Sequence, residues 1–217
     1  MKKILLLLLL VACGPPEHAF SVCGVEAKIV GGDLAPADSR AAVNVSNFCS
    51  GVLIAPHVVL TAAHCKDPKF VLDNEGTKSV VWSAVEHPDF VYLTLTNDIQ
   101  VLILEEPLLG PYATIAPATV GAGFITGFGM SDYEEFGTLR EGTTVVRTIL
   151  NNKVYTVPGC PDTCFGDSGG PLYQEGYLVA LTSSGQGQSC GSGGVYTEVN
   201  PYIDWIDYVA GDFFTLL

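Results

Sequence analysis

Thr96-Asn97-Asp98-Ile99-Gln100-Val101-Leu102-Ile103-Leu104 sets one carboxylate immediately ahead of a run dominated by Val, Ile and Leu. The run is too short for a stable buried helix and is rich in branched side chains, which marks it as a strand. Working outward, similar runs recur on both sides. They are Val52-Leu53-Ile54, His57 to Thr61, Val80-Val81-Trp82, Gly123 to Thr126, Thr143 to Leu150, Tyr177 to Thr182 and Gly194 to Val199. Gly, Pro, Asn or Asp punctuates most of them, and the 217 residues include 24 Gly and 13 Pro. Many short strands at this spacing predict an all-β barrel or sandwich. Only the end departs from the pattern. Between Tyr202 and Val209, the residues Ile203, Ile206 and Val209 recur at helical spacing with Trp205 beside them, which predicts one closing helix. There is no internal sequence repeat.

The formal net charge is −13, which argues against a nucleic-acid partner because a polyanion would be repelled. The N-terminus carries Lys2-Lys3 and then an unbroken apolar run from Ile4 to Ala12. Nine residues cannot cross a bilayer as a helix, which needs about 20. A basic start followed by a short apolar segment reads instead as an export signal over residues 1–12. The run ends Leu10-Val11-Ala12-Cys13, which resembles a bacterial lipobox and implies cleavage before Cys13, lipid on its thiol and membrane attachment. An ordinary signal cut nearby is the alternative. Residues 13–28 then read as an anchor or propeptide segment, and residues 29–217 as the working domain. With Cys13 set aside, six cysteines remain: Cys23, Cys49, Cys65, Cys160, Cys164 and Cys190. Six can pair in 15 ways, so spacing alone leaves the connectivity open. Their number suits an oxidising compartment, as expected of a secreted, periplasmic or surface-anchored protein. None stands with His at zinc-ligand spacing, so no metal site is expected.

Three segments carry chemistry. Phe165-Gly166-Asp167-Ser168-Gly169-Gly170-Pro171 places a serine among glycines, where a hydroxyl can be exposed and backbone N–H groups can gather at one point. Taken alone, it is equally a tight turn. Thr61-Ala62-Ala63-His64-Cys65 follows a hydrophobic strand, and a lone His is usually structural. Asp98, drawn inside by the strand that follows it, would cost several kcal/mol unless paired, and an imidazole N–H is such a partner.

Taken together and in this order, the segments resemble the chymotrypsin/trypsin family of serine proteases. The order His64, Asp98, Ser168 is that family's, and differs from those of subtilisins and α/β-hydrolases. Further matches are Lys28-Ile29-Val30-Gly31-Gly32, Phe48-Cys49-Ser50-Gly51, Gly127-Phe128-Gly129, and Gly194-Val195-Tyr196-Thr197 leading to Trp205. The resemblance covers Ile29 to about Ile206. It implies two antiparallel Greek-key β-barrels packed together with a C-terminal helix, and a triad of His64, Asp98 and Ser168 with no cofactor. Gly166 and Ser168 would supply the oxyanion hole, and Ser183 would support Asp98 and border the substrate. Asp162, six residues before Ser168, matches the floor of the primary pocket and implies cleavage after Arg or Lys; the alternative is a cap on the turn after Pro161. Gly185 and Gly194 match the pocket walls. Cleavage between Lys28 and Ile29 would free an α-amino group to pair with Asp167, and Lys28 is itself a substrate-like residue. The resemblance also implies bridges Cys49–Cys65 and Cys164–Cys190, leaving Cys23 and Cys160 as candidates for a third. Partners would be polypeptide substrates and protein inhibitors. The main rivals are a protease-fold binding protein without activity and a serine protease of non-tryptic specificity.

The chain departs from the family in shorter loops between His64 and Asp98 and between Asp98 and Ser168. Ser184 stands where the family commonly has Trp, and Cys160 lies unusually close to Cys164. The calcium loop of some relatives is not recognisable; Asp73 and Glu75 read as solvated loop acids.

Overall fold

The computed structural model describes residues 33–34, 41–130 and 136–214. Its strands are β1 (Asp33–Leu34), β2 (Ala42–Val45), β3 (Cys49–Ala55), β4 (Val58–Thr61), β5 (Phe70–Leu72), β6 (Lys78–Glu86), β7 (Gln100–Leu104), β8 (Gly121–Gly127), β9 (Arg140–Leu150), β10 (Lys153–Thr156), β11 (Pro171–Gln174), β12 (Tyr177–Gly185) and β13 (Gly194–Glu198). One helix, α1 (Ile203–Ala210), follows. This matches the expected all-β chain with a closing helix.

Strands β2-β3-β4-β7-β6-β5 close into one antiparallel barrel. A second ring runs β9-β10-β13-β12-β11-β8 and closes through the β8–β9 pairing, with β1 added outside β9. Both rings use the same scheme. Three consecutive strands pair in order, the next three do likewise, and the first and third of each set join across (β2 with β5 and β4 with β7; β8 with β11 and β10 with β13). The scheme repeats although the sequence does not.

The packing explains why these runs are strands. All seven residues of β3 and all five of β7 are buried, as expected of continuous apolar runs walled on both sides. The first barrel's core, including Val52, Leu60, Ile99 and Leu102, is continuous with Tyr173, Leu178 and Leu181 of the second barrel and with Ile206 and Ala210 of α1. Burying each large aliphatic side chain there contributes about 1.5–3 kcal/mol, so α1 clasps both barrels along its apolar face. Ser168 sits where the barrels meet. The loops β4–β5 and β10–β11 hold equivalent places in the two rings and bring His64 and Ser168 to one seam.

Candidate active site

His64 lies in the turn after β4, closed by Cys65 N–H to Ala62 C=O and tied to the start of β3 by the Cys49–Cys65 disulfide. Asp98 immediately precedes Ile99 and β7 and is fully buried. Its Oδ1 accepts the backbone N–H of His64 at 2.9 Å, and its Oδ2 accepts the ring Nδ1–H at 2.7 Å. An ionised carboxylate can only accept, so Nδ1 carries the proton and Nε2 is left as an acceptor. Ser168 Oγ stands 2.8 Å from that Nε2. Ser183 Oγ donates to the same Asp98 Oδ2 at 2.6 Å. A wholly enclosed carboxylate therefore holds a one-fifth-exposed imidazole, and the imidazole faces a serine hydroxyl.

The loop carrying Ser168 is bolted to the first barrel. Ser50, buried at the start of β3, donates its N–H to Ser168 C=O at 2.8 Å and its hydroxyl to Gly166 C=O at 2.9 Å, and accepts from Phe128 N–H at 3.0 Å. Gly169 has φ +79°, and a Cβ there would lie 2.0 Å from Thr61 Oγ1 and 2.5 Å from Ser50 C=O, so only glycine permits this approach. Neither the Gly166 nor the Ser168 N–H donates to another backbone group among the described residues.

The family model for trypsin matches residues 29–206. The chain belongs to the trypsin family. Relatives include brachyurin from Leptuca pugilator, 32% identical over 199 residues that cover 76% of this chain and 88% of the relative. Trypsin from Squalus acanthias is 30% identical over 224 residues, covering 82% and 94%. Trypsin from Saccharopolyspora erythraea is 33% identical over 192 residues, covering 72% and 84%. The protein is thus a serine-type endopeptidase, a hydrolase whose substrates are polypeptides.

A cavity of about 940 Å³ opens beside His64 and Ser168 in this protease. Asp162, Ser183 and Gly185 line it. Gly194 is not among the lining residues; a Cβ on it would strike the Tyr196 ring. Asp162 is buried, and its two oxygens accept the N–H groups of Thr163 and Gly193. Burial pushes its carboxyl above the usual range, and those backbone donors oppose the shift. Thus Asp162 both caps the local turn and faces the cavity; the two readings are compatible.

Asp167 is buried behind Ser168, accepting Gly129 N–H on Oδ1 and Cys164 N–H on Oδ2, each at 2.8 Å. Burial raises its carboxyl to about 7, and the nearby Asp162 adds to the rise. Lys28 and Ile29, like Cys13, Cys23 and the leader, lie outside the described residues. Disulfides Cys49–Cys65 and Cys164–Cys190 are present as expected and fit an exported protein. Cys160 is also disulfide-bonded, but the Cys23–Cys160 pairing falls outside the described residues. Among the described residues no group of three His, Cys, Asp or Glu could hold a metal ion. Asp73 Oδ1 instead accepts the N–H groups of Glu75 and Thr77.

Sequence reasoning missed the braces. Ser50 stands out in the sequence only within the Phe48-Cys49-Ser50-Gly51 match, and Gln100 only as one residue of its strand. Gln100 is buried and donates to Ala62 C=O and Cys65 C=O, both at 2.8 Å, which steadies the turn that bears His64. Lys153 donates to Thr94 C=O at 3.3 Å, linking the β9–β10 hairpin to the loop before Asp98. Gln100 is a polar residue inside an apolar run, the one signal that would have pointed to it, whereas Lys153 follows the Asn151-Asn152 turn and carries no such signal.

Proposed function

We propose that the protein is an exported endopeptidase that cleaves after Arg or Lys, made as a zymogen and activated by cutting between Lys28 and Ile29. The observation that carries the chemical part is the chain of contacts from Asp98 through His64 to the Ser168 hydroxyl. Ser168 Oγ bonds to the carbonyl carbon of the scissile peptide as its proton passes to His64 Nε2. The carbonyl oxygen becomes an oxyanion held by the N–H groups of Gly166 and Ser168, each such donor being worth about 3 kcal/mol. The C–N bond then breaks and the amine leaves with the proton from His64. Water attacks the acyl-enzyme, giving a proton to His64; the ester bond breaks and Ser168 recovers that proton. Asp98 fixes the imidazole tautomer and stabilises the imidazolium, supported by Ser183.

Asp162 supports specificity for cations. A carboxylate whose oxygens accept backbone N–H groups yet remain desolvated gains most when a guanidinium or ammonium enters beside it. Gly185 leaves room for a long side chain, and the absence of a Cβ on Gly194 leaves room for the Tyr196 ring. The N-terminal amine of Ile29 would neutralise Asp167, a burden the buried carboxyl otherwise carries alone among the described residues. The working domain is then residues 29–217, with 1–12 the signal, Cys13 the lipidated residue, and 13–28 the anchor and propeptide. A Cys23–Cys160 bridge would keep the activated protease on its anchor.

Protein cut at 28/29 and assayed on small Arg, Lys and Phe amides tests this reading. Hydrolysis after Arg and Lys, with fluorophosphonate labelling of Ser168 in the cut form alone, is expected. Rapid cleavage after Phe and none after Arg would remove the role of Asp162. An unlabelled Ser168 in cut protein would leave a binding protein of protease fold. If Ser168→Ala protein is still cut at 28/29 when purified, activation is not by the enzyme itself.

A further inference from the structure

Three phenylalanines rim the active-site cavity with their rings in water: Phe48 at 46% exposed, Phe136 at 55% and Phe165 at 68%. Three exposed aromatic side chains around one opening form the kind of apolar patch that marks a binding surface. Their place relative to the chemistry follows from the proton path. The side chain before the scissile bond enters between Asp162, Ser183 to Gly185 and Gly187 to Cys190. The leaving amine takes its proton from His64 Nε2, so the chain after the bond departs on the side of His64 and its Cys49–Cys65 disulfide. Phe48 adjoins Cys49. Phe165 adjoins Gly166, and the Phe136 ring lies 3.4 Å from where a Cβ on Gly166 would stand. The residues around the side chain before the bond have the opposite character, with Ser184, Gln188 and Ser189 among them.

We propose that Phe48, Phe136 and Phe165 form an aromatic clamp for the two residues following the scissile bond, so that the protease selects bulky apolar residues there. This deepens the proposed function and rests on its orientation of substrate across His64 and Ser168. Apolar contact made with the leaving half contributes to kcat/KM for polypeptides and is absent for small amides that lack that half. The chain's own sequence satisfies the rule, since Lys28 is followed by Ile29 and Val30. The junction whose cutting is proposed to activate the protein is thus itself a basic residue followed by two branched apolar ones.

The test uses protein cut at 28/29 and two peptides that differ only after the bond, Arg-Ile-Val and Arg-Ser-Ser. The readout is the ratio of their kcat/KM values. A ratio of about tenfold or more is expected for the unaltered protein. It should fall below about threefold in the Phe48→Ser/Phe136→Ser/Phe165→Ser variant and fall partway in Phe165→Ser alone, while Leu150→Ser, exposed on β9 outside the cavity, keeps it. A wild-type ratio below threefold, or a triple variant that retains the full ratio, overturns the clamp. Should the small Phe amide be cleaved and the Arg amide ignored, the reading of Asp162 fails. The same comparison is then run with Phe before the bond, and the clamp stands or falls on that ratio.

Discussion

Gln100 sits two residues beyond Asp98 and commits both protons of its buried amide to the carbonyls of Ala62 and Cys65, which flank His64. It touches neither substrate nor the reacting atoms, so it is a positioning residue. Gln100→Met keeps the volume but leaves buried carbonyls short of donors. We expect kcat to fall by about tenfold with KM within about twofold, because misplacement of the imidazole acts on the chemical step and not on pocket binding. A rise in KM with kcat intact would remove this role. Asp167 supplies a second prediction. Its carboxyl in the folded chain is raised to about 7, well above its ordinary value near 3.8, with burial the main cause and Asp162 adding to it. A carboxyl raised in this way binds its proton more tightly folded than unfolded, so the uncut chain loses stability as pH climbs from about 4 to 7. The total loss is of order 4 kcal/mol. Urea melts at pH 5 and 7.5 should show this drop in uncut protein, and Asp167→Asn should flatten it. After cutting at 28/29, pairing with the Ile29 amine would reverse the slope, the stability then being lost as pH falls. His64, Asp98 and Ser168 are legible in the sequence only as a set, because each segment alone is ambiguous and their order together is not. Ser50 and Gln100 are not legible, since one polar side chain within a strand does not declare which carbonyl it will meet.

The β9–β10 hairpin lies at the limit of what local sequence specifies at the scale of the element. Thr143 to Leu150 was legible as a strand, whereas Lys153–Thr156 was not, being four residues between an Asn pair and Pro158. Asn151 and Asn152 have φ of +52° and +59°, the left-handed pair that a two-residue hairpin requires. This tight turn joins the two strands directly, in keeping with the shortened stretch between Asp98 and Ser168. Similar brevity hid β2, β5 and β11, whose three or four residues gain strand geometry only from their neighbours in the closed rings. The helix was legible to within a residue, from Ile203 to Ala210, because its apolar spacing is local. Asn152→Val should cost about 1–2 kcal/mol, since a branched side chain resists positive φ, while Asn152→Gly should be neutral or better. Chemical denaturation of both variants measures this. Equal stability of the Val and Gly forms would mean that the turn adopts another conformation.

At the scale of the whole molecule, the pairing of strands across each ring is long-range, and only the family resemblance implies it. Charge, by contrast, is legible outright. The chain has a net charge of −13, and neither the buried Asp162 of the cavity nor the buried Asp167 behind Ser168 has a counter-charge among the ion pairs of the described residues. Such a field attracts cationic chains before any contact forms and is screened by salt, the Debye length shrinking from about 30 Å at 0.01 M to about 10 Å at 0.1 M. Cleavage of a Lys-rich polypeptide should therefore lose about tenfold in kcat/KM over that range of ionic strength. A small Arg amide meets the same pocket but presents a single charge, so it should lose no more than about threefold. The two substrates separate the field of the molecule from the carboxylate in its pocket. Equal salt dependence for both would place the whole electrostatic effect at Asp162, and no dependence for either would deny the acidic surface any part in substrate capture.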